Sequence, residues 1–385
     1  MRTMRLGLAA LTMAALSAGT ASAADYTATV TRIGALTGPQ APGAMRKADV
    51  CGTDLGIVAE IGGRLAFAFG DTFGWDGKRC APFGPNWRSN WLAYSSDTDP
   101  SDGVAIDDWY KKPGSDAAVA VAEGVHSAPF KGEQSRIPTA LLAVRDRLYL
   151  HTMSVHGFAS MGGVWLCNDS RFYASADAGK SWTAAPEVFG DFKSSFNMLA
   201  LSAAAGAGNR DGRYVYALGT PCGRFAGARA ARVPAGKVLD NSAWEYFDGS
   251  GWVADRAQAA EVIKPGVGEG SLTWNGGLKR WMYTTLNELS EKLELRLALR
   301  PEGPWSGPIT LVDLAKGYPQ AYGAFMTPRW ISPDGLSFYF VMSQFGPYNT
   351  FVMRAVLTAF QPATSAARWP SIRRTTAPIA RRARP

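Results

Sequence analysis

The octapeptide Ser175-Ala176-Asp177-Ala178-Gly179-Lys180-Ser181-Trp182 spaces an aspartate, a glycine and a tryptophan as a tight β-hairpin needs them. Asp and Gly shape the turn, and the tryptophan packs between strands. The motif builds structure rather than chemistry. Around it the chain is written in short apolar-alternating runs separated by Gly, Asp, Asn and Pro. Such runs are Arg64–Phe69, Trp91–Ser95, Arg147–Met153, Tyr214–Leu218, Trp281–Leu286, Glu294–Leu299 and Phe338–Ser343. A period of two over four to eight residues is the signature of half-buried strands. Long amphipathic helices are not expected. Asp255–Val262 reads as one short helix with Asp255 as its N-cap.

Many short strands leave a sandwich or a propeller. The octapeptide resembles the Asp-box of sialidase-like propellers, which favours the propeller. Roughly 335 residues lie between the two chain ends. At about 60–70 residues per blade, larger than the four-stranded minimum of common repeats, this length holds five blades. The expected fold is therefore an all-β, five-bladed β-propeller in a single domain over residues 24–360.

The ends read differently. Arg2 and Arg5, an apolar run from Leu6 to Ala15, and Ala21-Ser22-Ala23 form a secretory signal peptide over residues 1–23, cut after Ala23. Residues 361–385 are rich in Pro, Ala, Ser, Thr and Arg, contain no acid, and read as a disordered basic tail. The expected location is secreted or periplasmic, with no transmembrane segment in the mature chain. The formal net charge is +8. Two of those charges lie in the signal peptide, and six (Arg368, Arg373, Arg374, Arg381, Arg382 and Arg384) lie in the tail. The part between is formally neutral, so a nucleic-acid face on the core is not expected.

Four cysteines in an exported chain point to two disulfides. Three pairings are open. The favoured one joins Cys51 to Cys80 and Cys167 to Cys222. With no CxxC and three histidines, neither a metal site nor a cofactor is expected. Asp97, Asp99 and Asp102 imitate a calcium loop but lack its downstream acid, and read as a polar turn.

Chemistry concentrates at two aspartates. Asp54 lies in Gly52-Thr53-Asp54-Leu55-Gly56 and Asp71 in Phe69-Gly70-Asp71-Thr72-Phe73-Gly74. Between them two strand-like runs flank Gly62-Gly63, a two-residue hairpin turn. If that ladder runs unbroken, Asp54 faces Asp71, with Cβ atoms about 4.5–5.5 Å apart. Facing like charges destabilise a sheet. Two facing carboxylates are also what glycoside hydrolysis needs, one protonated as acid and one ionised. The plain alternative makes both of them turn or strand-end aspartates that bond backbone amides.

Further motifs follow in order: Trp87-Arg88-Ser89-Asn90, the acidic segment Ser96–Gly103, Ile137-Pro138-Thr139, Leu148-Tyr149-Leu150, the octapeptide, and Tyr214–Pro221 with Gly223-Arg224. Ala231-Arg232-Val233-Pro234, Val267-Gly268-Glu269-Gly270-Ser271, Gly303-Pro304-Trp305-Ser306 and the stretch from Ser343 through Pro347-Tyr348-Asn349 complete the series. With the aspartate pair, this order over residues 30–357 resembles the family long known as domain of unknown function 4185, now glycoside hydrolase family 183. The resemblance implies a five-bladed propeller and endo-D-arabinofuranosidase activity on the D-arabinan of mycobacterial-type arabinogalactan and lipoarabinomannan. It also implies inversion at the anomeric carbon, with Asp54 and Asp71 as the catalytic pair.

Glu269, between glycines that allow close backbone approach, is expected to line the same pocket. Asn90, His156, Arg224, Tyr322 and Asn349 are candidates for sugar contacts at the propeller axis, and Trp75 and Trp87 for a sugar platform. The expected partner is the polysaccharide alone, met by a monomer. Two rival readings are a sialidase, from Arg136-Ile137-Pro138, and a carbohydrate-binding propeller without catalysis. The first lacks repeated Asp-boxes, and the second has no need of opposed acids.

Overall fold

The computed structural model describes residues 26–76, 80 and 82–360. The expected signal peptide and basic tail lie outside the described residues. Five antiparallel sheets make up the fold. The first is Gly52–Ile61, Arg64–Phe73, Trp91–Ser95 and Asp108–Trp109. The second is Ser135–Val144, Arg147–Phe158, Trp165–Ser175 and Gly190–Asp191, with Thr183–Ala184 beside the third strand. The third is Met198–Ser202, Tyr214–Thr220, Ala228–Pro234, Glu245–Phe247 and Trp252–Val253, with Glu261–Ile263 on its third strand. The fourth is Val267–Asn275, Arg280–Asn287, Lys292–Ala298 and Ile309–Asp313. The fifth is Ala321–Phe325, Ser337–Gln344 and Asn349–Ala359, completed by Tyr26–Ala35.

The first strand of each sheet packs against the first strands of two other sheets, which closes a ring. This is the five-bladed β-propeller that length and strand spacing predict. All seven alternating runs named above fall on strands, with Leu299 alone lying one residue past its strand. The amino-terminal strand Tyr26–Ala35 zips onto Asn349–Ala359, so the two ends of the propeller share one blade and leave no open seam. Because the blades repeat the same up-and-down order, every inner strand begins at the same end of the axis.

The octapeptide forms its turn as read. Asp177 accepts hydrogen bonds from Ser175 Oγ (2.7 Å), the Ser181 amide (2.9 Å) and Ser181 Oγ (2.6 Å). Gly179 has φ +90°, and the Tyr94 hydroxyl of the neighbouring blade donates to its carbonyl at 3.0 Å. A Cβ at that position would strike the Tyr94 oxygen. The turn therefore also docks one blade on the next.

Trp91, Trp244 and Trp281 are among the largest fully buried side chains and fill the layers between strands. Truncating any of them should cost about 3–5 kcal/mol. Both favoured disulfides are present, Cys51–Cys80 and Cys167–Cys222. Among the described residues no helix is long and apolar enough to cross a membrane. The expected helix from Asp255 is a single 3-10 turn, Arg256–Gln258. Asp255 caps it by accepting the Ala257 amide, and strand Glu261–Ile263 then claims the rest for the sheet. In the acidic turn, Asp97 accepts the Asp99 and Ala105 amides and Asp99 accepts the Ser101 amide.

Candidate functional site

The hairpin of the first blade carries both aspartates. Gly62 (φ +57°) and Gly63 (φ +78°) form its turn, in the left-handed conformation that such loops require. The expected register holds from Ile61–Arg64 to Ile57–Ala68, then breaks. Leu55 (φ +66°) opposes Phe69, and Gly56 takes φ +85°. The register resumes at Thr53–Thr72. Asp54 thus lies within an irregular step, so an unbroken ladder with Asp54 squarely opposite Asp71 is corrected to a bulge. Bulges re-aim side chains, and they favour sites of function. Gly70 completes the arrangement, because a Cβ there would overlap Asp54 Oδ1.

The two carboxylates have different surroundings. The Tyr322 hydroxyl donates to Asp54 Oδ2 at 2.7 Å, while Asp54 Oδ1 is buried without a hydrogen-bond partner. Asp71 Oδ1 accepts two bonds, from Ser135 Oγ at 2.6 Å and Trp87 Nε1 at 2.7 Å. Burial, followed by the charge of Asp71, pushes Asp54 up to about 7 from its ordinary 3.8, against the opposing Tyr322 bond. Burial pushes Asp71 up to about 6, opposed by the bonds from Ser135 and Trp87 and by the charge of His126. Neither carboxylate forms a salt bridge with a lysine or arginine among the described residues.

A third acid stands beside them. Glu269 receives both Nε (2.8 Å) and Nη2 (3.0 Å) of Arg224 in a bidentate pair, and Glu288 lies 3.5 Å from Arg224 Nη1. Arg224 lies over the Tyr322 ring at 4.9 Å and the Trp165 ring at 5.4 Å. Its backbone amide bonds the Gly163 carbonyl at 2.9 Å, and the nearby Cys167–Cys222 disulfide fastens its loop to the second blade. Asp54, Asp71, Glu269, Arg224 and Tyr322 are therefore brought together at one end of the axis.

Three other candidates are engaged elsewhere. Asn90 donates to the Ala122 (2.6 Å) and Arg136 (2.9 Å) carbonyls and accepts the Val121 and Ala122 amides, so its whole amide pins a loop to two blades. Asn349 donates to the Pro347 carbonyl, accepts from Thr37 Oγ1, and fills the space beside Gly38. His156 stands edge-on to Phe130 at 6.1 Å and bonds neither carboxylate. The expected tryptophan platform is also revised. Arg46 covers the Trp75 ring at 3.9 Å, and Trp87 serves as the indole donor to Asp71.

Ser135 and Tyr348 escape sequence reasoning. Ser135 opens its inner strand, and Tyr348 is buried next to Asp54. Position is the available signal for Ser135. Asp54, Ser135, Glu269 and Tyr322 all fall within the first three residues of an inner strand. A separate cavity of about 270 Å³, lined by Ile57, Thr139, Ser202, Ser271 and Met326 among others, lies further along the inner strands. It does not include the acid pair. No group of three or more His, Cys, Asp or Glu among the described residues is placed to hold a metal ion.

Comparison with known proteins gives a family and a fold. The family model described as a domain of unknown function (DUF4185) matches residues 40–354. No curated protein is significantly similar to the chain. Among solved structures, a putative hydrolase from Bacteroides ovatus shares the fold with a TM-score of 0.55 and 12% identity, over 81% of this chain and 87% of that one. A family 117 glycoside hydrolase from the marine bacterium Zobellia galactanivorans aligns with a TM-score of 0.48 and 12% identity, over 86% and 90% of the two chains. A GH43_1 enzyme from Xanthomonas citri aligns with a TM-score of 0.46 and 12% identity, over 82% and 89%.

Proposed function

The chain belongs to the DUF4185 family, and on that footing we propose that it is a glycoside hydrolase acting within D-arabinan chains. The observation that carries the proposal is the acid pair at the axis, two carboxylates both raised by burial and held by different numbers of neutral donors. Paired carboxyls with separated proton affinities are how a single site supplies an acid and a base together.

Asp54, with one hydrogen-bond donor and one unpartnered buried oxygen, is the acid. Its proton passes to the glycosidic oxygen as the anomeric carbon–oxygen bond breaks. Asp71, whose charge Ser135 and Trp87 hydrogen-bond, is the base. It takes a proton from the water that attacks the anomeric carbon on the opposite face, and the configuration inverts. Glu269 and Arg224 form one wall and offer fixed polar groups to sugar hydroxyls. The ordered motifs shared with glycoside hydrolase family 183 support D-arabinan of arabinogalactan or lipoarabinomannan as the substrate.

Incubation with mycobacterial-type arabinogalactan tests this reading. New reducing ends together with a fall in polymer length support it. Retardation of the polymer in affinity electrophoresis without new reducing ends would replace it with a binding propeller.

A further inference from the structure

His126 is a titratable group next to the acid pair that the proposed chemistry does not use. Its backbone takes the left-handed conformation (φ +56°), uncommon for a residue other than glycine. Its Nε2 lies 2.7 Å from Glu123 Oε1, and Glu123 in turn accepts the Ser89 amide at 3.0 Å. Its ring centroid is 4.0 Å from that of Trp87. Trp87 also stacks on Phe73, with ring centroids 6.2 Å apart, and its Nε1 donates to Asp71 Oδ1 at 2.7 Å. The indole therefore contacts both an imidazole and a phenyl ring, with its one polar hydrogen given to a carboxylate.

We infer that His126 is a positioning residue for Asp71: anchored by Glu123, it fixes the Trp87 indole and, as imidazolium, favours the ionised carboxylate across it. The inference rests on the base role assigned to Asp71. Three charged groups among the described residues bear on the imidazole and its surroundings. Glu123 is on its own loop, Asp71 lies across Trp87, and the Arg88 guanidinium is turned away toward the Asp49 and Ala118 carbonyls. Glu123 opposes the effect of His126 on Asp71, so loss of the imidazolium leaves the Glu123 charge unopposed and Asp71 harder to ionise.

Two measurements test the inference, and the first does not need catalysis. A protonated imidazole against an indole quenches its fluorescence. The full chain should show a pH-dependent quenching step that is absent in His126→Phe and in Trp87→Phe. In Asp71→Asn that step should move to lower pH, because the facing anion is gone. The second measurement is the acid limb of kcat/KM. His126→Phe should move it to higher pH by about half a unit to one unit, the size of a screened short-range charge effect. His126→Gln, which can still bond Glu123, should keep the KM and the fold but show the same displaced limb. A quenching step that stays in place in Asp71→Asn, or an acid limb unmoved in both His126 variants, overturns the inference. A chain with no hydrolytic activity but a shifted step in Asp71→Asn would keep the coupling and refute only the base role.

Discussion

Replacing Asp54 by asparagine should stabilise the fold at alkaline pH relative to acid pH. A carboxyl raised from 3.8 to about 7 binds more protons folded than unfolded across that window. Its contribution is therefore favourable at low pH and is lost as pH rises through about 4 to 7. A span of about three pH units corresponds to a ceiling of about 4 kcal/mol. Asp71 titrates in the same window and couples to Asp54, so about 2 kcal/mol, half of that ceiling, is the conservative expectation. Asparagine keeps the size of the side chain and can still accept the Tyr322 hydroxyl. Urea unfolding of both proteins at pH 4.5 and pH 8 reads the difference directly, and titrations that do not couple to Asp54 cancel between the pair. The variant should gain about 2 kcal/mol on wild type between those pH values. Parallel stability curves for the two proteins would mean that Asp54 ionises as freely folded as unfolded, and the electrostatic account of the site would fail.

Three further outcomes follow from the same geometry. Hydrolysis should have a narrow bell-shaped pH profile, falling below about 6 as Asp71 takes up a proton and above about 7 as Asp54 loses one, with both limbs belonging to the coupled pair. Gly70→Ala should cut kcat at least about tenfold with the fold retained, because the new methyl group displaces Asp54 Oδ1, and kinetics beside circular dichroism would check it. Arg224→Met should lower unfolding free energy by about 3 kcal/mol, since it strands the Glu269 carboxylate without its bidentate partner, and thermal or urea melts would measure it.

The fold was largely legible because its determinants are local. Alternation marked the strands, Gly62-Gly63 the hairpin, and the spacing of Asp177, Gly179 and Trp182 a blade turn. Cys51 and Cys167 also met the partners their positions favoured. Where motif and chemistry coincided, the candidates Asp54, Asp71, Glu269, Arg224 and Tyr322 converge in space. The convergence ends where a polar side chain had two possible uses. Asn90 and Asn349 look like ligands for sugar hydroxyls, yet loops with bare backbone groups claim them first. The bulge at Leu55 was hidden because a register drawn from the turn has no reason to slip. The signal was Gly56, a glycine able to take φ +85° where the strand must kink. Ser135 and the His126–Trp87 contact join segments far apart in sequence, and only closure of the ring makes them neighbours of Asp71.

The most direct measurement compares wild type, Asp54→Asn and Asp71→Asn on mycobacterial-type arabinogalactan, with products resolved by chromatography and folding checked by circular dichroism. The account predicts a ladder of arabino-oligosaccharides from wild type and none from either folded variant. A ladder of undiminished intensity from either variant, or no products from folded wild type, would contradict it.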